Sequence, residues 1–167
     1  FTLKSSTKLN APEGGVFANI KAVFTSPVAL VAISIGLLVS AANELVNVTF
    51  GIWLEDSFQL QIAALGAASA IIGLSELGGE GLVFGFVDRL GKVRASGVGV
   101  IANCLAAVLL PIIGRTQTGA LIGLFLFYIT FEFTIVSIIP LITEVMPNAR
   151  VTMLSFAGAG HSIGRGV

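Results

Sequence analysis

The chain has 167 residues, of which 55% are hydrophobic and 11% are charged, and its formal net charge is zero. An average soluble domain carries roughly 25% charged residues, so this composition excludes an ordinary soluble fold and predicts an all-α integral membrane protein. The balanced charge gives no indication of nucleic-acid binding, and one cysteine with one histidine excludes an intrachain disulfide and the usual Cys/His metal sites.

The chain begins with a polar segment, 1–26, that contains three lysines and a Gly-Gly pair. Its composition predicts a loop with a short amphipathic piece. The chain has no initiator Met and no signal peptide, and it ends inside an apolar run. We therefore expect it to be a fragment of a longer protein.

Five apolar stretches follow the polar segment. A bilayer core requires about 20 apolar residues in a helix, and this length predicts membrane spans at 27–53, 62–87, 95–114, 119–146 and 151–167, the last of them truncated. The turns between them are short, so neighbouring helices must run antiparallel. Residues 27–167 are therefore predicted to form a polytopic transmembrane helix bundle.

The basic residues indicate how this bundle is oriented. The N-terminal segment and the turns at 88–94 and 147–150 lie on one side and carry seven Lys and Arg residues, whereas the opposite side carries only Arg115. Lys and Arg favour the cytoplasmic side of a membrane. We therefore predict that 1–26 and 88–94 are cytoplasmic and that the protein lies in the plasma (inner) membrane.

The turn at 88–94 lies in the stretch GFVDRLGKVRA and gathers unusually many charges. Asp88 comes at the end of a predicted helix, where the helix dipole disfavours an anion, so the three basic residues after it are expected to compensate its charge. These are Arg89, Lys92 and Arg94. Gly91 lets the chain reverse direction. Such a turn would either latch reversibly onto a neighbouring helix or serve only to set the topology.

This stretch resembles the signature loop of the major facilitator superfamily, in which a Gly precedes Asp-Arg-x-Gly-Arg and further basic residues. The core of that pattern matches Asp88, Arg89, Gly91 and Lys92. The family places its leading glycine four residues before the Asp, where this chain has Phe84. The stretches NVTFGIWLEDSFQLQIAALGAASAIIG and PLITEVMPNAR are also similar to the family, so the resemblance covers nearly all of the predicted bundle.

The resemblance implies part of one six-helix half of a transporter, either helices seven to eleven or, because the two halves are repeats, helices one to five. The polar segment 1–26 favours the second half and would be the loop between the halves. The implied function is secondary transport by alternating access, and we expect proton-coupled export of a small organic compound. The alternatives are a facilitative uniporter with structural carboxylates and a non-transporting sensor or assembly subunit.

The partners expected from this resemblance are the substrate, protons, the lipid bilayer and the other half of the same polypeptide. We expect no cofactor, no metal and no enzymatic activity, because the sequence shows no nucleophile–base or metal-ligand constellation.

Three carboxylates inside the predicted spans are candidates for proton coupling. Glu76 and Glu80 are four residues apart on one helical face, and Glu132 lies in the fourth span. Two neighbouring carboxylates in a low dielectric should not both be ionised, so one would hold a proton. The alternative is that each acid pairs with a cation on another helix and only holds the bundle together.

Two helical faces carry the candidate substrate-binding residues, which are Asn43, Glu44 and Asn47 in the first span and Phe125, Tyr128 and Glu132 in the fourth. An acid between aromatic side chains suits a cationic or hydroxylated ligand. The alternatives are packing of the aromatic rings and hydrogen bonding by the amides between helices.

A set of charged residues toward the C-terminus completes the candidates. Glu144 and Arg150 bracket the last cytoplasmic turn and would either join the 88–94 turn in a charge network or pair with each other. Arg165 lies deep in the last span and requires an acidic partner. Its candidate partners are Glu76, Glu80 and Glu132. His161, one helical turn before Arg165, would either titrate near neutral pH or serve as a hydrogen-bonded packing residue.

Overall fold

A computed structural model describes residues 15–59 and 62–166, and all regular structure within them is helical. The helices are α1 (Val16–Thr25), α2 (Pro27–Phe58), α3 (Ile62–Leu90), α4 (Lys92–Ile113), α5 (Gln117–Val145) and α6 (Arg150–Arg165), with a 3₁₀ turn at Pro147–Ala149. The predicted all-α fold class is thus confirmed. Of the predicted loop 1–26, residues 16–25 form α1, and residues 1–14 lie outside the described residues.

Four of the described helices are long and apolar enough to cross a membrane: α2, α3 from Gly66 onward, α4 and α5. The 22 residues of α4 correspond to about 33 Å at the usual rise, close to the roughly 30 Å of a hydrocarbon core. Large apolar side chains such as Leu38, Leu45 and Ile101 are more than half exposed. Such a surface would be costly in water, and it fits an integral membrane protein.

The helices pack around α5, which contacts α3 and α4 most extensively, while α2 packs mainly against α6. One apolar cluster lies at the end of the bundle that contains Leu54 and Leu124. Another lies at the opposite end and contains Ala29, Ile142 and Met153. The middle of the bundle, between these two clusters, is where the polar side chains of four helices meet.

Glycines allow several close helix approaches, and two of them hold α3 and α6 in place. A Cβ atom on Gly79 of α3 would lie 2.7 Å from the backbone oxygen of Ile129 and 2.7 Å from Cβ of Glu132, both in α5. A Cβ atom on Gly164 of α6 would overlap the backbone oxygen of Leu37 in α2. Only glycine lets the backbones approach this closely, so these two positions fix α3 against α5 and α6 against α2.

The predicted helix ends require correction at two turns. The first span does not end at residue 53, because α2 continues to Phe58 and Gln59 follows it with a left-handed φ of 50°. The turn predicted at 88–94 shrinks to Gly91, whose φ is 80°. The residues on its two sides belong to the last turn of α3 and the first turn of α4. The predicted starts at 27 and 62 coincide with those of α2 and α3, and the other predicted ends are displaced by one or two residues.

Candidate functional site: a polar cavity between four helices

A cavity of about 170 Å³ lies midway along the bundle, where α2, α3, α5 and α6 meet. We call it the polar cavity; its lining residues are Asn43, Asn47, Glu76, Tyr128, Phe131, Glu132, Ile135, His161 and Arg165. It therefore brings together two candidate proton-coupling acids and most of the candidate substrate-binding residues. Distant parts of the sequence meet here because the glycine contacts hold α3 and α6 close to α5 and α2.

The wall formed by α2 presents two amides one helical turn apart. Asn43 is only 8% exposed, and its buried Oδ1 has no hydrogen-bond partner among the described residues. Asn47 accepts a hydrogen bond from Oη of Tyr128 at 3.3 Å and donates one from Nδ2 to Oε1 of Glu44 at 3.4 Å. A buried acceptor without a partner costs free energy, and rotation of the Asn43 side chain toward the cavity would let a ligand satisfy it.

Glu44 lies behind this wall and does not line the cavity. Its Oε2 atom lies 3.7 Å from Nε of Arg165, and the two side chains form an ion pair between α2 and α6. The predicted partners of Arg165 were the three acids of the other spans, and this prediction is wrong: within the described residues its ion pair is with Glu44. The reason is the α2–α6 packing at Gly164, which places the end of α6 beside Glu44.

The two acids that do line the cavity come from neighbouring helices, Glu76 from α3 and Glu132 from α5. Neither forms an ion pair within the described residues. Glu80, one turn further along α3, does not line the cavity, although its charge acts on Glu132 together with those of Glu76 and Arg165. Glu76 therefore faces the same cavity as Glu132 of α5, whereas its neighbour on α3, Glu80, does not.

The wall formed by α5 extends from Tyr128 toward the C-terminal end of that helix. Tyr128 is 1% exposed, and Phe131 and Ile135 continue the same wall. Phe125, which shares a helical face with Tyr128, lies outside the cavity and is 37% exposed. Sequence reasoning missed Phe131 and Ile135; the available signal was their helical spacing, since Phe131 follows Tyr128 by three residues and Ile135 follows Glu132 by three.

A second cavity, of about 290 Å³, adjoins the polar cavity. We call it the apolar cavity; it is lined by Gly36, Ile135, Ile138, Ile139, Ile142, Leu154, Ala157, Gly158 and His161. Ile135 and His161 line both cavities. His161 also forms a hydrogen bond through Nδ1 with Oγ of Ser40, which holds the imidazole ring between α6 and α2.

The charged turn between α3 and α4 lies at one end of the bundle. Lys92 forms an exposed ion pair with Glu144, which links the start of α4 to the end of α5. Among the described residues, no basic side chain forms an ion pair with Asp88. Within the same residues the ion-pair partner of Glu144 is Lys92 and not Arg150.

Comparison of the chain with protein-family models, with curated proteins and with solved structures finds no match. Function is therefore inferred from the residues of the chain. They form an all-α bundle with four helices able to span a membrane and a polar cavity between α2, α3, α5 and α6.

Proposed function

We propose that this chain is part of a secondary active transporter of the major facilitator superfamily, which works by alternating access and exports a small organic compound in exchange for protons. The observation that carries this proposal is the polar cavity. Ionisable side chains are costly at the depth of a bilayer and are kept there where they face a substrate or proton pathway. Transporters of this type bind their substrates near the membrane midplane, between helices.

The coupling would depend on Glu76 and Glu132. Both line the cavity and neither has an ion-pair partner among the described residues. In the proposed cycle, a proton and the substrate compete for these two carboxylates. A substrate that binds to the ionised pair would release that proton, and export would then be exchanged for protons.

The turn at 88–94 would lie on the cytoplasmic side of the plasma (inner) membrane, as would residues 1–26. The ion pair between Lys92 and Glu144 connects this turn to the end of α5, the helix that carries Glu132. It is exposed, so it would open and close at little cost and suits a latch on the cytoplasmic side. The second half of the transporter, the proposed partner of this chain, would close the other side of the substrate pathway.

The test uses the full-length protein in proteoliposomes with an imposed pH gradient. A dye inside the vesicles reports internal pH while small organic compounds are screened, with wild type and with the variants Glu76→Gln, Glu132→Gln and Glu80→Gln. We expect substrate-evoked proton movement in wild type and its loss in the first two variants. Glu80→Gln is the graded comparison: Glu80 lies outside the cavity but its charge acts on Glu132, so its replacement should weaken coupling without abolishing it.

Two results would contradict the proposal. Compound flux without proton movement, unchanged in all three variants, would identify a facilitative uniporter with structural carboxylates. The ion pair of Glu44 with Arg165 supports this alternative for one acid of the bundle. Absence of flux for every compound, together with no compound-dependent protection of introduced cysteines, would identify a sensor or an assembly subunit.

A further inference from the structure

We propose that the polar and apolar cavities form one binding site for an amphipathic organic cation, with a protonated amine in the polar cavity and an aliphatic or aromatic body in the apolar cavity. This inference rests on the proposed function, because it names the class of compound carried at that site.

The two cavities adjoin each other along α5 and α6. Ile135 and His161 line both of them, so their side chains form the boundary between the two spaces. The polar cavity, of about 170 Å³, has the size of a head group, and the apolar cavity, of about 290 Å³, has that of a small hydrocarbon body. Ligand sites typically combine a large apolar part with a few placed polar groups.

The polar cavity offers acceptors and negative charge. Glu76 and Glu132 supply two carboxylates without ion-pair partners among the described residues. Asn43 also lines the cavity, and among the described residues its buried Oδ1 has no hydrogen-bond partner. Arg165, a cation of the lining, forms its ion pair with Glu44. A ligand that complements the two carboxylates carries positive charge and donates hydrogen bonds, as a primary or secondary ammonium group does.

The apolar cavity would bind the hydrocarbon body of the ligand. Its lining is predominantly branched aliphatic, from four isoleucines and Leu154. Two glycines, Gly36 of α2 and Gly158 of α6, also line it. Apart from chain neighbours and the backbone of its own helix, a Cβ atom at either position would meet no described atom within 4 Å. The cavity therefore has room along two of its walls, and removal of apolar surface from water would drive binding of the ligand body.

Binding can be measured without flux, on the full-length protein in lipid nanodiscs at neutral pH, with empty nanodiscs to correct for partition into lipid. The probes are phenylalkylamines of increasing chain length, compared with phenylalkanols and phenylalkanoates of the same body. We expect the amines to bind at least tenfold more tightly than the matched alcohols and carboxylates. Each added methylene should raise amine affinity about fourfold until the apolar cavity is filled.

Variants separate the two parts of the site. Glu132→Gln should lower amine affinity at least tenfold while leaving the weak binding of the alcohols unchanged. Gly36→Leu should fill the apolar cavity and remove the gain per methylene. Gly158→Leu fills the same cavity from α6, and it replaces Gly36→Leu in the test if that variant fails to fold. The matched control is Gly85→Leu, because Gly85 of α3 also has open space and lines neither cavity.

The outcomes of binding and flux are distinguishable. Amine binding with the predicted chain-length dependence, but without flux of any compound, would support the two-part site and contradict the transport function. Proton-coupled flux of neutral or anionic compounds, with no preference for amines in binding, would overturn the inference and leave the transport function standing. The inference would also be overturned if amine affinity did not depend on chain length and did not change in either glycine variant.

Discussion

Oε2 of Glu44 lies 3.7 Å from Nε of Arg165, and this ion pair joins the middle of α2 to the end of α6 beside the polar cavity. Glu44 is further held by a hydrogen bond from Asn47. One acid of the bundle is thus occupied by a structural contact, whereas Glu76 and Glu132 are without ion pairs in the part of the chain that the structure describes. Under the proposed function, the acids available to protons and ligand are the two that line the polar cavity, Glu76 and Glu132.

Replacement of Arg165 should reveal how much the ion pair stabilises the bundle. The side chain of Glu44 is 19% exposed and that of Arg165 is 58% exposed, so the pair lies between a surface pair and a buried one. We expect Arg165→Gln to lower the free energy of unfolding by about 1–2 kcal/mol, because it leaves the Glu44 carboxylate without its cation. Chemical unfolding in detergent micelles would measure this change.

A double-mutant cycle provides the control for that experiment. Glu44→Gln in the Arg165→Gln background removes the unpaired charge, so the double variant should be less destabilised than the sum of the two single variants by about 1 kcal/mol. Strictly additive effects would show that the pair contributes nothing to stability, and its assignment as the structural acid would be wrong.

Tyr128→Phe tests the hydrogen bond between α5 and α2. The ring of Tyr128 is buried and its Oη donates to Asn47, so loss of the hydroxyl removes one hydrogen bond without changing the packing of the ring. We expect a destabilisation of about 1 kcal/mol, measured by the same unfolding assay. The coupling to Asn47→Ala in a double-mutant cycle should be of similar size; no coupling would mean that this contact does not join the helices in the membrane.

Gly79→Ala should separate α3 from α5. The new methyl group would lie 2.7 Å from Cβ of Glu132 and from the backbone oxygen of Ile129, and insertion of a methyl group into such a contact costs about 1–3 kcal/mol. The control is Gly85→Ala on the same helix, where no atom lies within 4 Å and the change should be neutral or stabilising by up to about 1 kcal/mol. Equal effects of the two substitutions would contradict the close approach at Gly79.

The positions of the helices could be predicted from the sequence, but their ends could not. Apolar length alone decides where a span must lie, whereas a helix continues as long as its backbone hydrogen bonds are satisfied. The predicted end of the first span at 53 places Glu55 and Asp56 in a turn, although they lie in the last turns of α2. At the other end of α3, Gly91 reverses the chain by itself because its φ of 80° is accessible to glycine.

The composition of the site was partly accessible from the sequence. The acids and amides that line the polar cavity stand out in an apolar chain, and helical spacing groups those of one helix. Which helix provides the partner of Arg165 depends on packing at Gly164, a long-range contact that no periodicity reveals. Helical spacing likewise predicts that Phe125 joins Tyr128 at the site. In the bundle, the cavity instead continues from Tyr128 toward the C-terminal end of α5, as far as Ile135.

Cysteine labelling in intact cells should establish which end of the bundle is cytoplasmic. In a Cys104→Ser background, needed because the native thiol is exposed, Arg115→Cys should react with a membrane-impermeant maleimide from outside. Arg89→Cys should react only in inside-out vesicles, because α4, between the two sites, is 22 residues long and spans the bilayer. Reaction of both sites from one side would contradict the crossing of α4. Reaction with the sides exchanged would keep the bundle but reverse the orientation that the basic residues predict.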